Sequence, residues 1–235
     1  MPARVAPTHF LCIPLGGRRL TRSLASFRAD VTSINSHAIP DDAVRPPGTL
    51  HLTLGVMSLP SQTQLDRAVE LLRGLNLREL VGGVRASLAR QQKGSDGAAD
   101  AQARPLIALR GLQAMQSPAK TSVLYAPPVD VDGSGTLVGL CEAVKKVFVE
   151  CGVMADDGRP LLLHATVVNT IYAKDERGRR RKDRLMLDAR GLVAQYADYE
   201  WVDGLYVRGF SLCNMGAKSI GNGDQAYEQV AFVSF

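Results

Sequence analysis

Residues 161–170 read LLLHATVVNT, and residues 49–56 read TLHLTLGV. Each stretch places a histidine and a threonine two residues apart inside an apolar, β-branched run, which predicts a β-strand. Because side chains alternate between the two faces of a strand, His164 shares a face with Thr166, and His51 shares a face with Thr53. The aliphatic residues between them face the other way. Each strand can therefore pack on a core while an imidazole and a hydroxyl line a polar groove.

The two histidines lie 113 residues apart, about half of the 235-residue chain. A lone histidine in a strand is more often a half-buried structural residue than a catalytic one, so two fortuitous core strands are one interpretation. The repetition favours another interpretation, in which two similar lobes each contribute one strand to a shared cleft.

The motif pair, within segments Pro47–Leu54 and Leu163–Thr170, resembles the 2H phosphoesterase superfamily. It is most similar to the RNA-ligase-like domains of the A-kinase anchor protein 7 and activating signal cointegrator 1 complex subunit 1 type. The resemblance runs from about Phe10 to the end of the chain. It implies one domain over residues 1–235, an α+β fold in which two pseudo-symmetric lobes of mainly antiparallel sheet form a central cleft flanked by helices. The mixed order of helices and strands favours α+β independently.

This resemblance implies a metal-independent phosphodiesterase that acts on RNA or oligonucleotides at 2′,5′-linked, 2′,3′-cyclic or 3′-terminal phosphodiester bonds. His51 and His164 suit the two proton transfers, because an unperturbed imidazole titrates near physiological pH. Thr53 and Thr166 can donate hydrogen bonds to the phosphate. Which histidine is the acid and which the base stays open. No metal and no other cofactor is expected, since no carboxylate-rich cluster surrounds either motif.

Five further residues are candidate substrate-binding residues: Asn169, Thr170, Tyr172, Arg179 and Arg180. Tyr172 could stack on a base, although a core tyrosine is equally compatible with the pattern. The two arginines belong to the basic segment 174–184, which holds seven Lys and Arg against three Asp and Glu. This segment could be a solvated loop, an RNA contact or a nuclear localisation signal.

Composition sets broad bounds on the function. A hydrophobic fraction of 46% indicates a globular protein, and a net charge of +5 is compatible with an anionic partner. Four cysteines without CxxC spacing argue against a zinc site and favour a reducing compartment. Neither a signal peptide nor an apolar run of membrane length is apparent. We therefore expect a monomer in the cytoplasm, the nucleus or both, with an RNA or oligonucleotide substrate and no membrane association.

A second function class is an RNA- or nucleotide-binding module that acts without turnover in a larger complex, with a protein partner. The chain enters its first predicted strand by about Thr8. We read this as leaving no room for the KH domain or kinase-anchoring segment that accompanies some relatives, which favours a stand-alone enzyme or nucleotide binder over an adaptor.

The remaining pattern predicts helices and strands between turn-forming residues. Predicted helices span about 19–36, 62–75, 136–151 and 188–196; predicted strands span 8–14, 50–58, 84–88, 106–112, 122–126, 161–169, 201–207, 209–214 and 227–235. A flexible loop is expected near residues 91–104, because this polar stretch has no apolar side chain larger than alanine before Leu106.

Overall fold

The computed structural model describes residues 6–91, 104–156, 158–175, 177–179, 181 and 183–235. The strands are β1 His9–Pro14, β2 His51–Met57, β3 Leu106–Arg110, β4 Gln113–Ala114, β5 Val123–Ala126, β6 Pro128–Asp130, β7 Ala165–Asn169, β8 Glu200–Tyr206, β9 Gly209–Asn214, β10 Lys218–Gly221, β11 Asp224–Ala226 and β12 Gln229–Ser234. The helices are α1 Arg18–Val31, α2 Gln62–Arg73, α3 Leu77–Gln91, α4 Thr136–Glu150 and α5 Arg190–Gln195.

Seven strands form the main sheet in the order β12-β9-β1-β2-β7-β5-β4. Every pairing in it is antiparallel. The two halves of the sheet meet at the two motif strands, β2 and β7, which pair at Leu52 and Ala165. In one half α1 connects β1 to its neighbour β2, and in the other half α4 lies between β5 and its neighbour β7. The predicted α+β fold with two related halves is confirmed.

A smaller sheet, β6-β3-β8, lies beside the main one, and β10 and β11 form a separate hairpin. The helix α1 reaches the smaller sheet through Phe27, whose ring lies 4.8 Å from that of Trp201 in β8. Trp201 is fully buried and its indole N–H donates to the carbonyl of Gly111 at 2.7 Å. A buried aromatic side chain with its polar atom satisfied is a stable anchor, and it fixes the smaller sheet against the core.

The helices follow the apolar spacing of the sequence. In α1 the residues Leu20, Leu24, Phe27 and Val31 are all buried, as a 3.6-residue period requires for one core-facing stripe. The helix α2 begins with a capping box in which Ser61 and Gln64 satisfy each other's backbone groups. Both predicted helices are present, but α1 ends at Val31 instead of residue 36, and Ile34 beyond its end is exposed.

The predicted strand at 84–88 is wrong, because these residues lie inside α3. Gly82 and Gly83 predict a break in the chain before this strand, because each glycine weakens an isolated helix by roughly 1 kcal/mol. Tertiary packing overrides this cost. Val81 is fully buried, and a Cβ at Gly139 of α4 would lie 2.7 Å from Val84, so the glycine in α4 permits α3 to approach closely.

The second motif strand is shorter than predicted, and the predicted flexible loop lies mostly outside the described residues. The second motif strand begins at Ala165 instead of residue 161, because residues 161–164 form no ladder with a neighbouring strand. The loop predicted near 91–104 lies mostly outside the described residues, as does Arg180.

Candidate active site

The register of the main sheet brings the two motifs together. Leu52 of β2 pairs with Ala165 of β7, and both side chains are fully buried on the core face. Antiparallel pairing continued by one residue sets His51 opposite Thr166. The histidine of the first motif therefore faces the threonine of the second.

On the other side of the same pair, the register sets Thr53 opposite His164. We call these four residues the His-Thr quartet: His51, Thr53, His164 and Thr166. All four lie on the face opposite the core, and the two histidines occupy diagonal corners. The Cα atoms of diagonal neighbours on adjacent antiparallel strands are about 7–8 Å apart, which long and aromatic side chains can span.

Both imidazoles are held in the same way. The Nδ1 of His51 lies 2.7 Å from the carbonyl oxygen of Thr49, and the Nδ1 of His164 lies 2.8 Å from the carbonyl oxygen of Leu162. A carbonyl oxygen only accepts, so each Nδ1 carries the proton and donates. Each Nε2 is therefore left to accept or donate a proton in the cleft. Two identical contacts, each to the residue two positions earlier, orient both rings for chemistry.

The surroundings of His51 are apolar and enclosed. Its ring lies 4.9 Å from the ring of Phe10 and 5.2 Å from the ring of Tyr227. Burial lowers the pKa of His51 to about 4, and electrostatic interactions with His164 and Arg45 act in the same direction, while the hydrogen bond to Thr49 opposes them. His51 is therefore neutral at physiological pH.

The second half of the site is more open. His164 is half-buried and meets one ring edge, that of Tyr125, at a centroid distance of 5.5 Å. Tyr125 lies opposite Thr166 in the sheet, and its hydroxyl donates to Gln113 Oε1 at 2.8 Å. This contact holds the tyrosine ring beside the histidine.

The threonines of the quartet are free to bind a ligand. Thr53 and Thr166 are half-buried, and in the described part of the chain neither hydroxyl has a protein hydrogen-bond partner. A half-buried hydroxyl without a protein partner can donate to a phosphoryl oxygen without first breaking an internal bond. Cys12 of β1 lies opposite Thr53 and forms, with Phe10 and Cys213, the apolar floor beside it.

Three other predicted substrate-binding residues have side chains that bond to other groups of the protein. Asn169 accepts a hydrogen bond from the backbone N–H of Ile171, and the Thr170 hydroxyl donates to the carbonyl of Leu185 at 2.6 Å. Arg179 forms an exposed ion pair with Asp175 at 3.4 Å. The side chains of Asn169 and Thr170 thus stabilise the turn after β7, and substrate binding by these three residues stays a prediction.

Tyr172 lies at the edge of the site and packs on Arg45, a residue that the sequence patterns do not single out. Its ring, which is 43% exposed, covers the guanidinium of Arg45 at 3.8 Å from the ring centroid. Arg45 is 4% exposed. Its position before two prolines suggested only a loop, and nothing local in the sequence signals its burial.

The described ranges contain neither a metal-binding cluster nor a membrane-spanning helix. Within them, no three His, Cys, Asp or Glu side chains lie close enough together to hold a metal ion. No helix among the described residues is both long and apolar enough to cross a membrane.

Comparison with known proteins places this chain in a family. The profile of the AKAP7 2′5′ RNA ligase-like domain matches residues 7–235. The mouse activating signal cointegrator 1 complex subunit 1 is 25% identical over 200 residues, which cover 82% of this chain and 51% of that protein. This chain therefore spans about half the length of that relative.

Other relatives match over their whole length. The uncharacterized protein C15D4.13c of Schizosaccharomyces pombe is 25% identical over 228 residues, covering 95% of this chain and 94% of that protein. Two solved structures share the fold. One is TT0787 of Thermus thermophilus, with a TM-score of 0.54 at 14% identity and 97% coverage of both chains. The other is a phosphoesterase, with a TM-score of 0.50 at 17% identity and 98% coverage of both. The chain belongs to the AKAP7 2′5′ RNA ligase-like domain family.

Proposed function

We propose that the protein is a metal-independent phosphodiesterase in which His51 and His164 transfer protons at one phosphate of an RNA or oligonucleotide. The family and its fold support a phosphodiesterase-type function. The observation that carries the finer proposal is the His-Thr quartet: two imidazoles on one face, each with Nδ1 bound to a backbone carbonyl and with no Nε2 hydrogen bond to any described residue.

The different surroundings of the two histidines support different roles for them in this proposal. His51 is neutral because burial lowers its pKa to about 4, so it starts as the base. His164 is then the acid by elimination, because the reaction needs one ring of each kind. A bound phosphate adds negative charge beside His51, which raises its pKa again and makes it a better proton acceptor.

The reaction needs no further group. The Nε2 of His51 removes the proton from the attacking oxygen, which belongs to water or to a ribose hydroxyl. A new P–O bond forms, the P–O bond to the leaving oxygen breaks, and the Nε2 of His164 donates a proton to that oxygen. Thr53 and Thr166 donate hydrogen bonds to the phosphoryl oxygens as their charge increases.

The substrate class follows the family description, which names a 2′5′ RNA ligase-like domain. We propose 2′,5′-linked, 2′,3′-cyclic or 3′-terminal RNA phosphodiesters as substrates. The test is incubation in EDTA with 2′,5′-linked oligoadenylate, 3′,5′-linked oligoadenylate and RNA that ends in a 2′,3′-cyclic phosphate. Turnover of one of them by the wild type, and its loss in His51→Ala and His164→Ala, is expected.

The matched control is His37→Ala. His37 is half-buried, and its Nε2 contacts Gln195 Oε1 at 2.9 Å on a different part of the surface. Equal turnover by the wild type and by both quartet variants would contradict the proposal.

A second candidate function is binding without turnover in a larger complex. One observation favours it: a relative of 25% identity is named as a subunit of a complex. Binding of the same oligonucleotides without product would support this candidate over the enzyme.

A further inference from the structure

The guanidinium of Arg45 is the most unusual buried group in the described part of the chain. The side chain is 4% exposed, and its Nη2 is buried without a hydrogen-bond partner among the described residues. A buried cation with an unused donor costs free energy unless an anion or an acceptor pairs with it. The atom therefore marks a place where a negatively charged ligand would be stabilised.

The backbone fixes Arg45 beside the strand of the second motif. Its N–H donates to the carbonyl of Val167 at 2.8 Å, and its neighbour Val44 pairs with Val168. Arg45 therefore lies alongside β7 although it precedes β2 in sequence, at the junction of the two halves of the main sheet.

The side chain of Arg45 lies at the His51 end of the site. Its charge contributes to the lowered pKa of His51. Burial raises the pKa of Tyr227, whose ring contacts His51; Tyr172 acts in the same direction, and Arg45 in the opposite one. The guanidinium, the two tyrosines and the imidazole thus form one cluster.

The acidic residue nearest in sequence does not neutralise this charge. Asp42 accepts a hydrogen bond from the backbone N–H of Lys174 at 2.9 Å through Oδ2, and its Oδ1 is buried without a partner. No ion pair joins Asp42 to Arg45 in the described residues. The cation is covered instead by the ring of Tyr172, which lies across its face.

We propose that Arg45 binds a phosphate group of the nucleotide substrate at the His51 end of the cleft. Arginine suits this role because its planar fork of N–H donors matches phosphate oxygens and is always charged. Tyr172, which is largely exposed in a short 3₁₀ turn, shifts to admit the phosphate. The inference rests on the proposed function for the identity of the ligand but concerns binding, which is measured separately from turnover.

The test compares binding of adenosine 3′-monophosphate and of uncharged adenosine by isothermal titration calorimetry. The variant is Arg45→Lys, which keeps a positive charge and loses the fork, with Arg45→Gln as a second variant. Both are expected to weaken monophosphate binding by about tenfold or more, the cost of one charged hydrogen bond. Adenosine binding is expected to stay unchanged.

Two controls separate a binding role from a structural one. Arg110→Lys alters an exposed arginine that is paired with Asp203 at 3.1 Å in the smaller sheet, and it is expected to bind the monophosphate as the wild type does. Asp42→Asn removes the nearby carboxylate and leaves Arg45 intact. If Asp42→Asn weakens monophosphate binding as much as Arg45→Lys does, Arg45 acts through packing and the inference is wrong.

Other outcomes separate the inference from the proposed function. If the wild type turns over its substrate while a folded Arg45→Lys keeps the wild-type KM and the wild-type Kd for the monophosphate, the inference fails alone. If no substrate is turned over but monophosphate binding depends on Arg45, the phosphodiesterase proposal fails alone. Absence of measurable monophosphate binding by the wild type overturns the inference, and if Arg45→Gln does not fold, Arg45→Lys decides.

Discussion

The two copies of the motif share the pattern Leu-His-x-Thr but differ in their surroundings. His51 lies against the rings of Phe10 and Tyr227, and burial lowers its pKa to about 4. His164 is half-buried and meets a single ring edge. Both rings nevertheless make the same Nδ1 contact to a backbone carbonyl. The motif orients an imidazole, and the neighbouring strands decide which aromatic rings surround it.

The largest expected effect comes from removing either ring. His51→Ala and His164→Ala are each expected to lower kcat by about 10²–10⁴-fold, the usual contribution of a general acid or base. Steady-state kinetics in EDTA on the substrate that the wild type turns over will measure this. Normal turnover by both variants, with circular dichroism like that of the wild type, contradicts the paired roles.

The threonines are expected to contribute less. Thr53→Val and Thr166→Val keep the shape of the side chain but remove the donor, and each is expected to lower kcat by about 10- to 100-fold with little change in stability. Loss of one donor to the transition state commonly costs somewhat more than this where the site excludes water, and these hydroxyls are half-buried. An unchanged kcat in both variants would assign phosphate binding to other groups.

The comparison also predicts a pH effect on stability. The pKa of His51 is about 4 in the folded protein and about 6.5 in the unfolded chain. As the pH falls between these values, the unfolded chain gains a proton that the folded protein does not, so the free energy of unfolding decreases. This one group accounts for a loss of about 2 kcal/mol between pH 7.5 and pH 5.

Urea unfolding of the wild type and of His51→Gln at both pH values measures that loss. The variant is expected to lose less stability in acid than the wild type, and His37→Gln serves as the control for removing an imidazole at the surface. A wild type and a His51→Gln variant with the same acid sensitivity would show that His51 is not held neutral.

The smallest effect is expected at the open half. Tyr125→Phe removes the hydroxyl that donates to Gln113 at 2.8 Å and keeps the ring beside His164. We expect a loss of about 1 kcal/mol in stability and a change in kcat of less than about threefold. A much larger fall in kcat, measured with the same substrate, would indicate that the hydroxyl itself contacts the substrate.

Much of the site was accessible to sequence reasoning. Strand alternation alone placed each histidine on the same face as its threonine, and the repeat at half the chain length predicted two related halves. The separation of the quartet into an enclosed and an open half was not predictable, because Phe10 and Tyr227 reach His51 from β1 and from the segment before β12, which are remote in sequence.

The wrong strand prediction at 84–88 and the missed burial of Arg45 have a common physical cause. The helix α3 persists through Gly82 and Gly83 because α4 packs against it at Gly139, a contact that no local pattern reveals. Arg45 is buried because its segment pairs with β7, more than 100 residues away. Local propensity predicts an exposed loop in the second case and a strand in the first, and tertiary packing overrides both.

A double-mutant cycle on His51 and His164 tests most directly whether both motifs act on one phosphate. The kcat values of the wild type, His51→Ala, His164→Ala and the double variant are measured on one substrate in EDTA. Groups that work as a unit are strongly non-additive, so the double variant is expected to be about as slow as the slower single variant. If the two losses multiply in full, the histidines act independently and the shared site is contradicted.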